Sequence, residues 1–598
     1  MSEPVLVSVA WPYANAEIHV GNLAGSYLPA DIFARYNRLR GRQVLMVSGS
    51  DAHGTPITVR ADAEKSTALE VYQRFHHSFI DLFQQLGLTY DLFTSTHTAN
   101  HFDVSQKMFL ALKDNGFMYP NTELQWYAPS QGRFLPDRYV EGTCYICGYE
   151  GARSDQCDRC GNLLDPAQLI NPRSKIDGST PELRETEHYY LDLGALQEQI
   201  VAFLREREDY WRPNVLRQSL GQIMTSNLRG RPITRDLDWG IPVPLEDWGG
   251  KCLYVWFEAV IGYLSASIEW SMLTGQPDAW KQWWNGSAPR TYYFIGKDNI
   301  PFHAVIWPGE LIGTGTRFDE LRGDPHPQPL ALPFDVPANE FLNLEGQKIS
   351  GSRDWAVWGR DFLSRYDPDP LRYYLTANMP ETRDTDWDWG EFFHRNNDEL
   401  VATWGNLANR VLSFTFKHWE GHVPEPGELT EQDETLLRAV EAGFESVAAE
   451  LEAVHLRGAL AEAMRLATEV NKYLDVTAPW AAIKTDRAAA ARSVYTALSA
   501  INSLKVLLAP FLPHTSEQLH VFLGYDQPLF GTQFTETIDD ALGEHFILRY
   551  DPSAASGRWE AQRLVPGAAL RQPAPLFKKL EEKIIDEERA RLGKPKNA

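Results

Sequence analysis

Cysteine is scarce in this sequence, with five among 598 residues. Four of the five fall in two tight pairs, which favours a metal site in a reducing compartment over a disulfide framework. Long apolar runs are missing as well. No segment reaches the roughly 20 apolar residues that a membrane-spanning helix needs, so no membrane partner is expected. The N-terminus carries Glu3 and Pro4 and lacks a basic leader, so it does not read as a signal peptide, and the expected location is cytoplasmic. Basic residues are in deficit: 57 Lys and Arg stand against 80 Asp and Glu, a formal charge of −23. That balance speaks against a broadly basic nucleic-acid surface but leaves room for a local one. Internal repeats and low-complexity tracts are also lacking.

What remains is ordinary globular composition, with 43% hydrophobic and 23% charged residues. The length suggests roughly four folding units of about 150 residues each. Residues 5–10 read as a buried strand. A loop through His19 and Gly21 follows, then a helix to Arg40 with Ile32, Phe33, Tyr36 and Leu39 on one face. Pro29 lies inside this helix and predicts a kink or a fresh start. Residues 43–48 read as a second strand, with Asp51 just beyond it. Strand, helix and strand at this spacing predict a Rossmann-like parallel sheet. Ligands in such sheets bind beyond the carboxyl ends of the strands, where His19 and Asp51 both fall.

Residues 116–230 break this rhythm and hold the cysteine pairs, as an insertion would. Strand-like stretches at 251–257 and 290–295 then resume the sheet within 231–325. Residues 326–388 begin Pro-rich and carry a Gly/Ser loop at 346–353. From 389 the pattern becomes helical to about 522, which predicts a bundle over 389–545. The last stretch, 546–598, begins irregularly. It closes with an expected amphipathic helix over 575–592, with Leu576, Phe577, Leu580 and Ile584 on its apolar side.

Cys144 and Cys147 are separated by nine residues from Cys157 and Cys160. Two such turns, followed by Gly148 and Gly161, can close a tetrahedron around one Zn2+ per chain. Two disulfides or plain reduced thiols are the weaker readings. Four thiolates leave no open coordination position, so the ion would be structural. His19-Val20-Gly21-Asn22 follows the first strand, Gly296-Lys297-Asp298 follows a later one, and Lys348 to Arg353 form a loop with a cation at each end. Each alone is as well explained by a surface histidine or a solvated turn.

Together these motifs closely resemble the methionyl-tRNA synthetase family. His19-Val20-Gly21-Asn22 is similar to the first class I signature, HIGH. Lys348-Ile349-Ser350-Gly351-Ser352 resembles the second, KMSKS. Further matches are Ala10 to Asn15, Asp51 to Pro56, Tyr254 to Ala259, and Gly296 to Asn299 with His303. The resemblance implies an α/β fold in which 1–115 and 231–325 are two halves of a Rossmann-like catalytic domain. It makes 116–230 a zinc-binding connective insertion, 326–388 a stem-contact region, 389–545 a helical anticodon-binding domain and 546–598 a C-terminal extension.

The implied activity is ligation of methionine to tRNA(Met), using ATP with Mg2+, by a monomer. His19, Asn22 and Lys348 would be catalytic. Gly21, Gly296, Lys297, Asp298 and Ser350 would join them around ATP. Ala10, Trp11, Asp51 and Asn299 would hold methionine, with Tyr13, Trp256, Tyr263 and His303 walling its thioether and Ala259 leaving space. Asn406, Arg410 and Trp480 would read the anticodon. Gly351 departs from the second signature, which has Lys there, and Arg353 is the nearest cation that could replace it. Two rivals remain: a class I enzyme for a small aliphatic amino acid, which would need a large editing insertion, and a non-catalytic paralogue.

Overall fold

The computed structural model describes residues 3–136, 139–154, 157, 159, 160, 164, 166–286 and 289–593. Gly161 and the side chain of Ser352 lie outside the described parts. The chain builds a central sheet from strands β1 (Pro4–Val9), β2 (Gln43–Ser50), β3 (Leu92–Ser95), β4 (Arg290–Gly296), β5 (Ala338–Asn339), β6 (Thr532–Asp540) and β7 (Gly543–Asp551). Their order in space is β5-β4-β1-β2-β3-β7-β6. The first five are parallel, while β7 joins β3 antiparallel and closes a hairpin with β6. From β1 the chain runs outward to β2 and β3, then returns to lay β4 on the other side of β1. The order reverses there, which is where such sheets open a ligand crevice.

Both faces of the sheet are covered, so its inner strands are largely apolar on both sides. Val5, Val7 and Val9 of β1 point into one core with Phe33, Tyr292 and Phe294. Leu6, Leu45 and Val47 point into the opposite core with Phe257, Ile261 and Ile295. Helix α1 (Leu28–Leu39) covers the first face, with Ile32, Phe33, Tyr36 and Leu39 all buried. It continues from a π-helical turn, Leu23–Tyr27, so Pro29 falls in its first turn. The Leu28 N–H bonds back five residues to Leu23. The Ala24 carbonyl, which Pro29 has no N–H to serve, accepts instead from the side-chain amide of Asn339 at 2.8 Å.

Three expectations are corrected. Residues 251–257 are not a strand of the sheet. Only Cys252–Leu253 pair, with Thr234–Arg235, and helix α2 (Val255–Leu273) starts directly after. This helix is buried nearly all round, so its apolar residues show no helical period. The segment expected to begin irregularly at 546 is instead inside β7, so the boundary drawn at 545 cuts a strand.

The amphipathic helix expected over 575–592 shrinks to α7 (Ile584–Arg589). Leu576, Phe577 and Ile584 are buried as their pattern implied. However, two asparagine side chains take the backbone groups that a helix would use. Asn397 accepts from the N–H of Leu580 at 2.9 Å and donates to its carbonyl at 3.0 Å. Asn396 donates to the Lys578 carbonyl at 3.1 Å.

The insertion is an antiparallel pair, Met118–Ala128 with Glu182–Leu191, carrying a small three-stranded sheet that holds the cysteine turns. The C-terminal half is helical. A π-helix, Arg395–Gly405, runs into α3 (Asn406–Trp419), which packs with α4 (Glu431–Glu452), α5 (Leu456–Thr477) and α6 (Arg487–Leu508). No described helix is long and apolar enough to cross a membrane.

Candidate active site

A cavity of about 550 Å³ lies beyond the carboxyl ends of β1, β2 and β4. Three short strand exits build it. Ala10 follows β1, and its N–H bonds Phe294 of β4 at 3.1 Å. Asp51 follows β2 and is stapled to the first exit, its N–H to the Pro12 carbonyl and its carbonyl to the Ala14 N–H, at 2.8 and 3.0 Å. Gly296 ends β4. A Cβ there would meet the Asp298 carboxylate at 2.8 Å, so glycine gives that side chain its place.

One end of the cavity is aromatic. The Trp11 indole is wedged between Gly49 of β2 and Gly262 of α2, where added Cβ atoms would lie 2.1 and 2.6 Å from the ring. Tyr13 meets Trp256 edge-on at 5.8 Å, and Trp256 stacks on Phe302 at 4.0 Å. Ala259 and Tyr263 follow on the same face of α2, spaced as neighbouring turns require. The Asn299 carbonyl can only accept, so His303 carries its proton on Nδ1 and donates there at 3.0 Å. Its Nε2 therefore accepts from the Tyr263 hydroxyl at 2.7 Å. Burial lowers the His303 pKa to about 4. Asp51 is buried at the edge of this end. Burial first, and the nearby Glu258 carboxyl second, push its pKa well above the usual carboxylate range.

The other end joins the two signature segments. His19 caps the turn Val20–Asn22 reciprocally: its Nδ1 accepts from the Asn22 N–H at 3.2 Å, and Asn22 Oδ1 accepts from the His19 N–H at 3.1 Å. Nδ1 is thus an acceptor and Nε2 bears the proton. Enclosure by neighbouring groups lowers the His19 pKa to about 4, so the ring is a neutral donor at pH 7. Gly21 lets the second segment approach, since a Cβ there would sit 3.0 Å from Ile349. Lys348 lines the cavity and lies 5.2 Å from the Phe341 ring.

Most residues expected around a nucleotide and an amino acid therefore line one cavity: His19, Gly21, Asn22, Gly296, Asp298 and Lys348 towards one end, and Ala10, Trp11, Tyr13, Asp51, Trp256, Ala259, Tyr263, Asn299 and His303 towards the other. Lys297 and Ser350 are not brought to its wall. Lys297 pairs with Glu340 and Asp384, each at 2.7 Å. Ser350 instead turns the loop by pairing with Trp355. Arg353 is exposed and outside the lining.

Two features escaped the sequence reading. Trp358 bridges His19 through the backbone, with ring centres 6.0 Å apart, and also lines the cavity. Behind Asp51, Glu258 accepts from His53 at 2.9 Å and lies 3.3 Å from His101 Nε2. Burial raises the Glu258 pKa and lowers that of His53 to about 3. Both sat inside motifs already noted, Asp51 to Pro56 and Tyr254 to Ala259. Trp358 carried no such signal.

Away from the cavity, the four cysteine sulfurs lie within 4.8 Å of one another. Cys144 and Cys160 are 4.0 Å apart, Cys147 and Cys157 3.6 Å. These separations are too long for disulfides. A tetrahedron with 2.3 Å metal–sulfur bonds has edges of about 3.8 Å, so the cluster can hold a metal ion. On the bundle, the Arg410 guanidinium lies 4.6 Å over the half-buried Trp480 ring, and Phe414 meets that ring edge-on at 5.4 Å. Asn406 is exposed one turn before Arg410.

Known proteins match this arrangement. The family model for class I tRNA synthetases (M) matches residues 5–412, and that for the anticodon binding domain of methionyl tRNA ligase matches 423–547. The methionine–tRNA ligase of Thermomicrobium roseum is 54% identical over 594 residues, 99% of both chains. That of Chloroflexus aurantiacus is 51% identical over 599 residues, again 99% of both. The crystal structure of Mycobacterium tuberculosis methionyl-tRNA synthetase bound by methionyl-adenylate has the same fold, with a TM-score of 0.74 at 24% identity, covering 96% of this chain and 100% of that one. The chain belongs to the methionyl-tRNA synthetase family, the class I enzymes that ligate methionine to tRNA.

Proposed function

We propose that the cavity at the strand ends binds methionine at its aromatic end and ATP at its signature end, and that adenylate forms between them. The observation that carries this reading is the meeting, in one cavity, of Asp51 and the aromatic wall with His19 and Lys348. Asp51 pairs with the α-ammonium of methionine, which supplies the counter-charge its burial lacks. The wall suits a thioether. Tyr263 and His303 satisfy each other, and a weak sulfur acceptor meets aromatic surface.

The methionine carboxylate oxygen attacks the α-phosphorus of ATP, and the bond to the bridging oxygen breaks to release pyrophosphate. His19 donates from Nε2 to a phosphate oxygen, with Asn22 beside it, while Gly21 leaves the nucleotide room. Lys348 balances charge on the leaving group, and Mg2+ accompanies the phosphates. Gly296 and Asp298 line the nucleotide's side. Lys297 and Ser350 would join only if the loop and its ion pairs rearranged. A ribose hydroxyl of the tRNA(Met) 3′ end then attacks the methionyl carbonyl and AMP leaves. Asn406, Arg410 and Trp480 read the anticodon by edge bonds and stacking. Zn2+ held by Cys144, Cys147, Cys157 and Cys160 would fix the insertion, with no free position for chemistry.

The protein would work as a monomer in the cytoplasm, where the thiols stay reduced. Methionine-dependent ATP–pyrophosphate exchange tests the site. Wild-type protein should exchange and Lys348→Ala should lose most of the rate. Unchanged exchange in Lys348→Ala would remove its assigned role.

A further inference from the structure

The C-terminal segment reaches the second signature loop and grips both of its ends. Arg589 on α7 donates from Nε to Glu345 Oε2 at 3.0 Å and from Nη2 to Asp388 Oδ2 at 2.8 Å. Four residues on, the Gly593 N–H donates to the Asp354 carbonyl at 3.1 Å. Glu345 immediately precedes the loop 346–353, and Asp354 immediately follows it. Neither is glycine, yet both hold left-handed backbone, with φ of 46° and 52°. Such residues cost free energy and persist where the surroundings hold them. Asp354 also accepts from the Trp358 indole N–H at 2.8 Å, and Trp358 touches His19.

The gripping segment is itself fixed. Glu588 is buried and accepts both Nε and Nη2 of Arg365 at 2.7 and 2.9 Å, as well as the Tyr366 hydroxyl at 3.0 Å. This is a bidentate arrangement on a part of the molecule that contributes nothing to the cavity lining.

We infer that Arg589 and the Gly593 amide are positioning residues for adenylate formation. They hold the strained ends Glu345 and Asp354, so that the loop between them presents Lys348 to the ATP phosphates. This rests on the role given to Lys348 above. The methionine end of the cavity is built on α2 and the exits of β1, β2 and β4, none of which the grip contacts.

Steady-state pyrophosphate exchange on the full chain tests this with Arg589→Gln, an exposed substitution that should leave the fold intact. The expected result is a loss of about tenfold in kcat, with the KM for methionine within about twofold of wild type. Arg589→Lys should recover part of the loss, and Arg589→Glu combined with Glu345→Arg should recover more than either single change. Wild-type kcat in Arg589→Gln would overturn the proposal. A parallel loss of methionine binding and melting temperature would also overturn it, since that marks a merely structural contact. Lys348→Ala, run alongside, keeps the claims apart: wild-type exchange there fails the role of Lys348, whereas wild-type exchange in Arg589→Gln fails the grip.

Discussion

The hydroxyl of Tyr263 lies 2.7 Å from Nε2 of His303, and the opposite nitrogen of that ring is held by the Asn299 carbonyl. The facing polar atoms of this pair are thereby consumed. Tyr263→Phe leaves a buried imidazole nitrogen unpaired beside the substrate. The KM for methionine should rise about tenfold, equivalent to ~1.4 kcal/mol, with the KM for ATP unchanged. An unaltered methionine KM would show that the pair plays no part in shaping the pocket.

Charge on His19 is testable through pH. Its folded pKa of about 4 lies below the value near 6.5 of an unfolded histidine. Its contribution to stability is therefore complete above 6.5 and is lost as pH falls towards 4. Asp51 and Glu258, raised by burial, act in the opposite sense. For catalysis, a neutral donor predicts no loss of exchange as pH rises through 6.5. Histidine NMR should show the His19 ring titrating near 4. A titration near 6.5 would show that enclosure does not perturb the ring.

Metal analysis should find about one zinc per chain. Cys157→Ser removes a buried ligand and should loosen the insertion, lowering activity without touching the cavity. Metal-free protein with full activity would reject a structural ion.

Trp480 is half-buried between Arg410 and Phe414, so it could be a stacking platform or a packing residue. As a platform, Trp480→Ala should weaken aminoacylation at least about tenfold, since stacking contributes roughly 1–3 kcal/mol per base. Exchange without tRNA should stay near wild type. If both activities fall together with the melting temperature, the ring is only packing.

The parts legible in the sequence are those whose cause is local. The apolar run of β1, the turn at His19 and the strand of β2 follow one another within fifty residues, so their period and punctuation declared a parallel unit. The cysteine turns were legible for the same reason. Helix α2 was misread because burial on all sides erases the helical period, leaving Val255 and its neighbours to look like a strand. The segment before α7 was misread because its helix is undone by Asn396 and Asn397, nearly two hundred residues earlier. Trp358 was missed because only the folded chain sets it against His19.

The hairpin of β6 and β7 has a consequence for how the molecule is made. Its partner strand β3 ends at Ser95, but Leu548, which pairs with Phe93, is some 450 residues further along. At ribosomal speeds of about 5–20 residues per second, β3 waits roughly 20–90 s for its neighbour. Until then it is a bare sheet edge open to wrong pairing. The nascent catalytic half would have to be shielded during synthesis. Chains stalled or cut before Thr532 should aggregate through that edge, even though every cavity residue has already been made.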